Sequence, residues 1–193
     1  MRASKLITLV AMSVLLVALN ATASQAKTIR WRSIVGIVEA ANRVGSGDLG
    51  FGGSGVLGGA PWSTLGGGAQ VDPNKGNVQF QVKGLVLAGG SASAFGLSGL
   101  PIGTRDGVTD VIGTLVCDID GSAGGGTSIL VDTPPVPLSS AGNAQFSGNI
   151  GSLPTACTDE PDIAFLIRIF NPAAFRGVWI ANGAVLVVDG AGG

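Results

Sequence analysis

The stretch NVQFQVK, residues 77–83, decides the fold. Its apolar residues Val78, Phe80 and Val82 alternate strictly with polar ones, and this period of two is typical of a β-strand with one buried face. The preceding segment GGAQV is joined to it by DPNKG, a sequence whose Pro and Gly favour the dihedral angles of a tight turn. The pattern therefore predicts a β-hairpin.

Further strands are indicated on both sides of this hairpin. The segment NAQFSGNI, residues 143–150, repeats the alternation, and residues 31–38 open the domain as another strand. DVIGTLVC, residues 110–117, and IAFLIRIF, residues 163–170, are apolar on both sides, with Arg168 as the single charge. Such runs are typical of central strands that are buried on both faces.

A last strand pattern, VWIANGAVLVV, covers residues 178–188 and has Asn182-Gly183 at its centre. Because Asn-Gly between apolar arms is a strong turn signal, we predict a hairpin there. The alternative is one long strand with a bulge at Gly183.

No segment after residue 26 has apolar residues at the 3.6-residue spacing of an amphipathic helix. Segments such as SASAFGLSGL are also too rich in glycine and serine to sustain a helix. Short strands separated by turn signals predict one all-β domain over residues 27–193. We expect an antiparallel β-sandwich or barrel-like domain of about seven or eight strands, and the pattern does not choose between sandwich and barrel.

Residues 1–26 have the order of a secretory signal peptide: basic Arg2 and Lys5, an apolar run, then small residues ending at Ala26. The apolar run is too short to span a bilayer, so we expect cleavage and export, either secreted or to the periplasm or cell surface. Removing this leader takes away two of 11 basic residues and leaves nine against 12 acidic ones, a net charge of about −3. That balance argues against nucleic acid or an anionic membrane as a partner.

The segment from Gly45 to Gly68 contains 11 glycines in 24 residues, including GSGDLG, which matches the dinucleotide pattern G-x-G-x-x-G. A dinucleotide loop must lead into a helix whose N-terminus faces the pyrophosphate, and the sequence after Gly50 cannot form one. We therefore predict a glycine-rich loop over 45–68 and no cofactor.

The inventory of reactive side chains predicts no catalytic residue. The chain has no His, which excludes Ser-His-Asp triads, Cys-His pairs and His-bound zinc. Asp118 and Asp120 could offer two calcium ligands, but calcium takes six to eight oxygens, so we predict a polar turn and no metal site. The acidic run that ends at Asp162 also resembles a solvated turn.

Cys117 and Cys157 are the only cysteines. In an oxidising compartment, two cysteines without other metal ligands are expected to form a disulfide. Free thiols or a bridge between chains are the alternatives.

The three Trp residues have different surroundings in the sequence. Trp31 and Trp179 lie in predicted strands and are expected in the core, whereas Trp62 lies in a predicted loop. An exposed loop Trp can stack on a sugar or an apolar partner, so Trp62 is our candidate for a ligand surface. The alternative is that Trp62 folds back and closes the core.

Several strings, among them GGGAQVDPNKGNVQFQVKGLVLAGG, VDTPPVPLSSAGNAQFSGNIGSLPTAC, DIAFLIRI and WIANGAV, resemble a family of secreted bacterial proteins of uncharacterised function. The resemblance covers about residues 35–185 and implies an exported single domain without an assigned activity. In strand pattern only, the chain is similar to CHRD-type extracellular β domains. Those carry a His-containing motif that this chain lacks.

Together these observations favour an exported, non-enzymatic β domain that is structural or binds a ligand or surface, with a carbohydrate or a protein as the possible partner. One alternative is a carbohydrate-active enzyme with an Asp/Glu pair. The other is a cell-surface component that oligomerises through exposed strand edges.

Overall fold

The computed structural model describes residues 27–88, 102–123, 125–158, 162–170 and 177–189. The predicted signal peptide, residues 1–26, lies outside this part of the chain. Within it there are thirteen strands and one short helix: β1 (Thr28–Gly36), β2 (Arg43–Asp48), β3 (Ser54–Leu57), β4 (Trp62–Ser63), β5 (Gly66–Asp72), β6 (Asn77–Lys83), β7 (Val86–Leu87), β8 (Asp110–Cys117), β9 (Ile129–Asp132), β10 (Val136–Pro137), β11 (Ala144–Asn149), α1 (Thr155–Thr158), β12 (Ile163–Ile169) and β13 (Trp179–Asp189).

The strands form one curled antiparallel sheet, a half-barrel, with two small two-stranded sheets beside it. The order in the large sheet is β10-β8-β12-β13-β1-β5-β6-β11, and β9 pairs with β8 next to β10. The antiparallel strands confirm the prediction of an all-β domain, and the curl of the sheet agrees with the barrel-like form rather than the sandwich. In the described ranges no helix is both long and apolar enough to cross a bilayer.

The hairpin predicted from NVQFQVK is present as β5 and β6. Asp72 organises its turn, because one carboxylate oxygen accepts the backbone N–H groups of Asn74 and Lys75, each at 3.2 Å. Gly76 closes the turn at φ +68°, and a Cβ there would collide with the backbone of Gly151. The turn therefore needs glycine both for its dihedral angle and for space.

The core fills the inner side of the half-barrel. The ring of Phe165 on β12 lies 5.6 Å from the rings of both Trp31 and Phe80, measured between centroids. Gly113 on β8 makes room for this cluster, since a Cβ there would lie 2.8 Å from the Phe80 ring. Trp31 and Trp179 are both buried, which confirms their predicted place in the core.

The predicted hairpin at Asn182-Gly183 is wrong. β13 continues through both residues, and Ile34 on β1 pairs with Gly183 in an unbroken register. The glycine is needed because the Trp31 side chain lies across it: a Cβ at Gly183 would be 2.5 Å from the indole ring. The one register shift of this strand lies elsewhere, opposite the Ile167–Arg168 step of β12.

The glycine-rich segment 45–68 is more ordered than a single loop. It contains the hairpin β2–β3 and the short strand β4, and Gly50 leads into β3 rather than into a helix. The hairpin lies on the outer face of β8, where Gly45 approaches Val116 and the Ser46 N–H donates to the Ser128 hydroxyl at 2.8 Å. Its glycines allow this close approach and the positive φ angles of the hairpin.

Arg168 is buried beneath the same hairpin. Its guanidinium contacts a carboxylate oxygen of Asp132 at 3.0 Å, donates to the Gly177 carbonyl at 2.7 Å and lies 5.3 Å from the centroid of the Phe51 ring. Burial lowers the pKa of Arg168, and the Asp132 charge opposes that shift. The single charge of the β12 segment thus joins the sheet to its covering hairpin.

Candidate functional site

The outer face of β1, β5, β6 and β11 is polar, and none of the described residues covers it. Because Val78, Phe80 and Val82 point into the core, the side chains between them must point outward. β5 and β11 alternate in the same way, and β1 does so from Ile29 to Arg32. We call this surface the polar face and define it by Arg30, Arg32, Gln70, Gln79, Gln81, Lys83, Gln145 and Ser147.

The strand register places these side chains in rows that cross the strands. In one row Arg30 is opposite Gln70, Gln70 is opposite Gln79, and Gln79 is opposite Ser147. In the next row Gln145 is opposite Gln81, and Gln81 is opposite Gly68. Directly opposed side chains have Cβ atoms about 5 Å apart, so each row brings several polar groups within reach of one ligand.

A groove of about 660 Å³ runs over the polar face, and its floor crosses all four strands. A groove of about 480 Å³ continues it at the Gln81–Gln145 end, towards Lys83. A third, of about 280 Å³, continues it at the Gln79–Ser147 end, towards Asp72. From Asn77 to Lys83 the strand rise gives a length of about 20 Å, which suits an extended chain better than a compact small molecule.

The glutamine amides on this face are free to bind a ligand. The side chains of Gln70, Gln79, Gln81 and Gln145 make no hydrogen bond within the part of the chain that the structure describes. Each amide offers two N–H donors and a carbonyl acceptor. The groove therefore presents both donors and acceptors in adjacent rows.

The end of the face near Asp72 is bonded internally. The Asn149 amide donates to the Asn77 side chain at 2.8 Å and to the Lys75 carbonyl at 2.6 Å. The Lys75 amine lies 3.3 Å from the Asp72 carboxylate. These contacts stabilise the β5–β6 turn and leave the glutamine rows as the part of the face without internal partners.

Trp62, our candidate for a ligand surface, does not lie on this face. It is 4% exposed and belongs to the core, on the short strand β4 paired with β7. The exposed Trp62 ring is therefore not found, and the alternative that Trp62 folds back and closes the core is the one that the structure has. The sequence did not choose between the two, because a two-residue strand in a glycine-rich segment has no visible alternation.

A cluster of three carboxylates, Asp118, Asp120 and Asp162, lies at the end of β8, with oxygens within 4.8 Å of one another. Sequence indicated the first two, and the structure adds Asp162 from the start of β12. Each already accepts a backbone N–H: Asp118 from Ala123, Asp120 from Ser122, and Asp162 from Asp120.

Hydrogen bonds from Ser122, first from its side chain and then from its backbone, lower the pKa of Asp120. The carboxylates thus organise the turn that follows β8, where the sequence predicts a polar turn, and their oxygens are also close enough together to serve as ligands of one cation.

The disulfide predicted between Cys117 and Cys157 is present. It links the end of β8 to α1, and both residues are fully buried. The bridge closes a loop across a sequence separation of 40 residues and fixes the region beside the carboxylate cluster.

Comparison of the chain with protein-family models, curated proteins and solved structures gave no match. The resemblance to secreted bacterial proteins and to CHRD-type domains therefore stays a prediction.

Proposed function

We propose that this chain is an exported, non-enzymatic β module that binds a polysaccharide on its polar face. The observation that carries the proposal is the set of glutamine amides, aligned across three strands and without internal partners. Sugars present closely spaced hydroxyl groups that donate and accept hydrogen bonds, and an amide can bind both kinds of group. The elongated groove suits a linear chain of such units.

Two features support export. Residues 1–26 have the order of a signal peptide, and the Cys117–Cys157 disulfide belongs to the chemistry of oxidising compartments. A polysaccharide outside the cell is a ligand that an exported module would meet.

The distribution of carboxylates supports a binding module over a glycosidase. Asp72 is the one carboxylate among the residues that line the three grooves, and it pairs with Lys75. A glycosidase needs two carboxyl groups flanking the same bond. The Asp118 cluster does bring carboxylates together, but none of its members lines these grooves.

Binding can be tested by affinity electrophoresis or calorimetry of the exported protein with a panel of soluble neutral and charged polysaccharides. We expect Gln79→Ala/Gln81→Ala to weaken binding about tenfold, since each lost hydrogen bond contributes about 0.5–1.5 kcal/mol. Thr109→Ala is the matched control, because Thr109 is exposed and lies outside the grooves. Equal binding by the double variant, or no binding to any polysaccharide, would overturn the proposal.

An oligomerising surface component is the second candidate function. β11 ends the sheet and pairs only with β6 among the described strands, so its outer edge can accept another strand. Light scattering after size exclusion tests this alternative: a concentration-independent monomer contradicts it.

A further inference from the structure

We infer that the polysaccharide is anionic, and that Arg32 and Lys83 bind its carboxylate or sulfate groups. This inference rests on the proposed function, since it concerns the ligand of the same polar face. It is carried by two cations on that face that have no anionic partner within the part of the chain that the structure describes.

Arg32 and Lys83 border the glutamine rows. Arg32 follows the buried Trp31 on β1, and Lys83 follows the buried Val82 at the end of β6, so both side chains point outward. Both are exposed; Arg32 lines the main groove and Lys83 its continuation.

The strand between these two cations carries glycine. On β5, Gly68 is opposite Gln81 and Gly66 is opposite Lys83. Neither residue has a side chain that would fill the space, so a ligand can reach the sheet between Arg32 and Lys83. An acidic group on a chain that follows the groove would lie within reach of both.

The other described cations already have partners. Arg30 pairs with Asp189 at 3.3 Å, Lys75 with Asp72, and Arg168 with Asp132. The guanidinium groups of Arg43 and Arg105 and the amine of Lys27 donate to backbone carbonyls. Within the described ranges, the side chains of Arg32 and Lys83 form neither an ion pair nor a hydrogen bond to a backbone carbonyl. In that part of the chain they lack an acidic partner even though acidic residues outnumber basic ones after the leader.

The composition of the face favours an acidic sugar over a neutral one. No carboxylate lines either of the two grooves that Arg32 and Lys83 border, so nothing there competes for their charge. A guanidinium binds carboxylate or sulfate through two parallel hydrogen bonds, and an ammonium acts as a compact charge beside it. The amides between them suit the hydroxyl groups of the same chain.

Single-stranded nucleic acid is also a linear anion, but this face lacks the means to bind its bases. Such binding relies on aromatic side chains on which bases stack. Trp31 and Phe80 on these strands are buried in the core, and the partly buried Phe146 packs against that core with its ring stacked on Phe80. The observations therefore favour an acidic polysaccharide.

Two matched pairs of probes test the inference: polygalacturonate with its methyl ester, and dextran sulfate with dextran. The members of each pair differ in charge and share the sugar backbone, and the two pairs distinguish carboxylate from sulfate. We expect the charged member of at least one pair to bind more tightly than its neutral partner, and this preference to disappear in about 1 M salt, where screening is nearly complete.

The variants Arg32→Gln and Lys83→Gln should each weaken binding of the charged probe by up to about fivefold, the range of an exposed ion pair. The double variant should lose up to about 25-fold if the two effects add. Lys75→Gln is the matched control, since it removes the same charge from the β5–β6 turn, about 20 Å along the strands from Lys83 and beyond the screening length.

The inference would be overturned if the charged and neutral members of both pairs bound equally tightly, or if Lys75→Gln weakened binding as much as Arg32→Gln and Lys83→Gln do. It would also be overturned if single-stranded DNA bound as tightly as the charged polysaccharides. Each of these outcomes would leave polysaccharide binding intact. Failure of all four probes would overturn the proposed function together with the inference.

Discussion

The two halves of the half-barrel sheet differ in what covers their outer faces. On β8 and β12 both faces are buried, because the glycine-rich hairpin β2–β3 lies on the outer side and Arg168 joins the layers. On β6 the outer face is bare, and its side chains alternate between core and solvent. Both halves contribute inward-facing side chains to the core, but only the covered half also packs its outer face, and the outer face of the other half is free to carry a binding surface.

The largest effect expected on the covered half is loss of its disulfide. Cys117→Ser/Cys157→Ser should reduce the free energy of unfolding by about 4 kcal/mol, the chain-entropy value for a loop of this length. Urea unfolding with and without reductant measures it. Reductant should destabilise the wild type and leave the variant unchanged. Alkylatable thiols in the unreduced wild type would contradict the prediction.

The cover itself can be tested at two glycines of the hairpin. Gly47 has φ +72°, and a Cβ there would lie 2.7 Å from the Cα of Thr127, so Gly47→Ala should cost about 2–4 kcal/mol. Gly50 has φ +83° with nothing within 4 Å of its Cβ position. Gly50→Ala, the matched control, should therefore cost only about 1 kcal/mol. If denaturant unfolding shows the same loss of free energy of unfolding for Gly47→Ala and Gly50→Ala, the hairpin does not pack closely on the sheet.

On the bare half, by contrast, stability should scarcely change. Gln79→Thr and Gln81→Thr remove amides without internal partners and introduce a residue suited to strands, so each should alter the free energy of unfolding by less than about 0.5 kcal/mol. The same unfolding measurement applies. A cost above about 1 kcal/mol would mean that the polar face is structural, which would remove the separation between the two halves.

The smallest effect is expected at Asp120, in the turn after β8. Its pKa is lowered by hydrogen bonds from Ser122, first from the side chain and then from the backbone. A carboxyl whose pKa is lower in the folded than in the unfolded state stabilises the fold at pH values above the unfolded pKa of about 4. That stabilisation is lost as the pH falls through the pKa of the folded state.

Asp120→Asn should therefore be slightly less stable than the wild type at pH 6, and the difference should shrink towards pH 3. Unfolding as a function of pH measures it, with the exposed Glu39→Gln as control. A difference that does not depend on pH would contradict the assignment.

Sequence predicted the local features of this fold. The alternation of residues 77–83 and the turn chemistry of Asp72 and Gly76 act within a few residues of one another, so their outcome is visible in the sequence. The error at Asn182-Gly183 arose from a distant residue, since the Trp31 ring needs the space above Gly183. There tertiary packing outweighed a local turn signal.

The candidate site could be predicted only in part. The alternation of residues 77–83 places Gln79, Gln81 and Lys83 on one face, but the rows also need the pairing of β1 with β5 and of β6 with β11, which lie far apart in the sequence. Asp162 likewise joined Asp118 only through the pairing of β12 with β8. For Trp62 the sequence left exposure and burial open, because burial within a glycine-rich segment leaves no periodic pattern, and the structure has the buried alternative.

The position of β1 has a consequence for how the chain folds. This first strand lies in the middle of the sheet, between β5 and the last strand, β13. Its pairing with β13 spans nearly the whole domain, which gives the fold a high contact order and a slow, strongly cooperative folding reaction. The β5–β6 hairpin can form early, but β1 has an open edge until β13 arrives. Any factor that delays β13 prolongs the exposure of the unpaired edge and apolar face of β1, and with it the risk of aggregation.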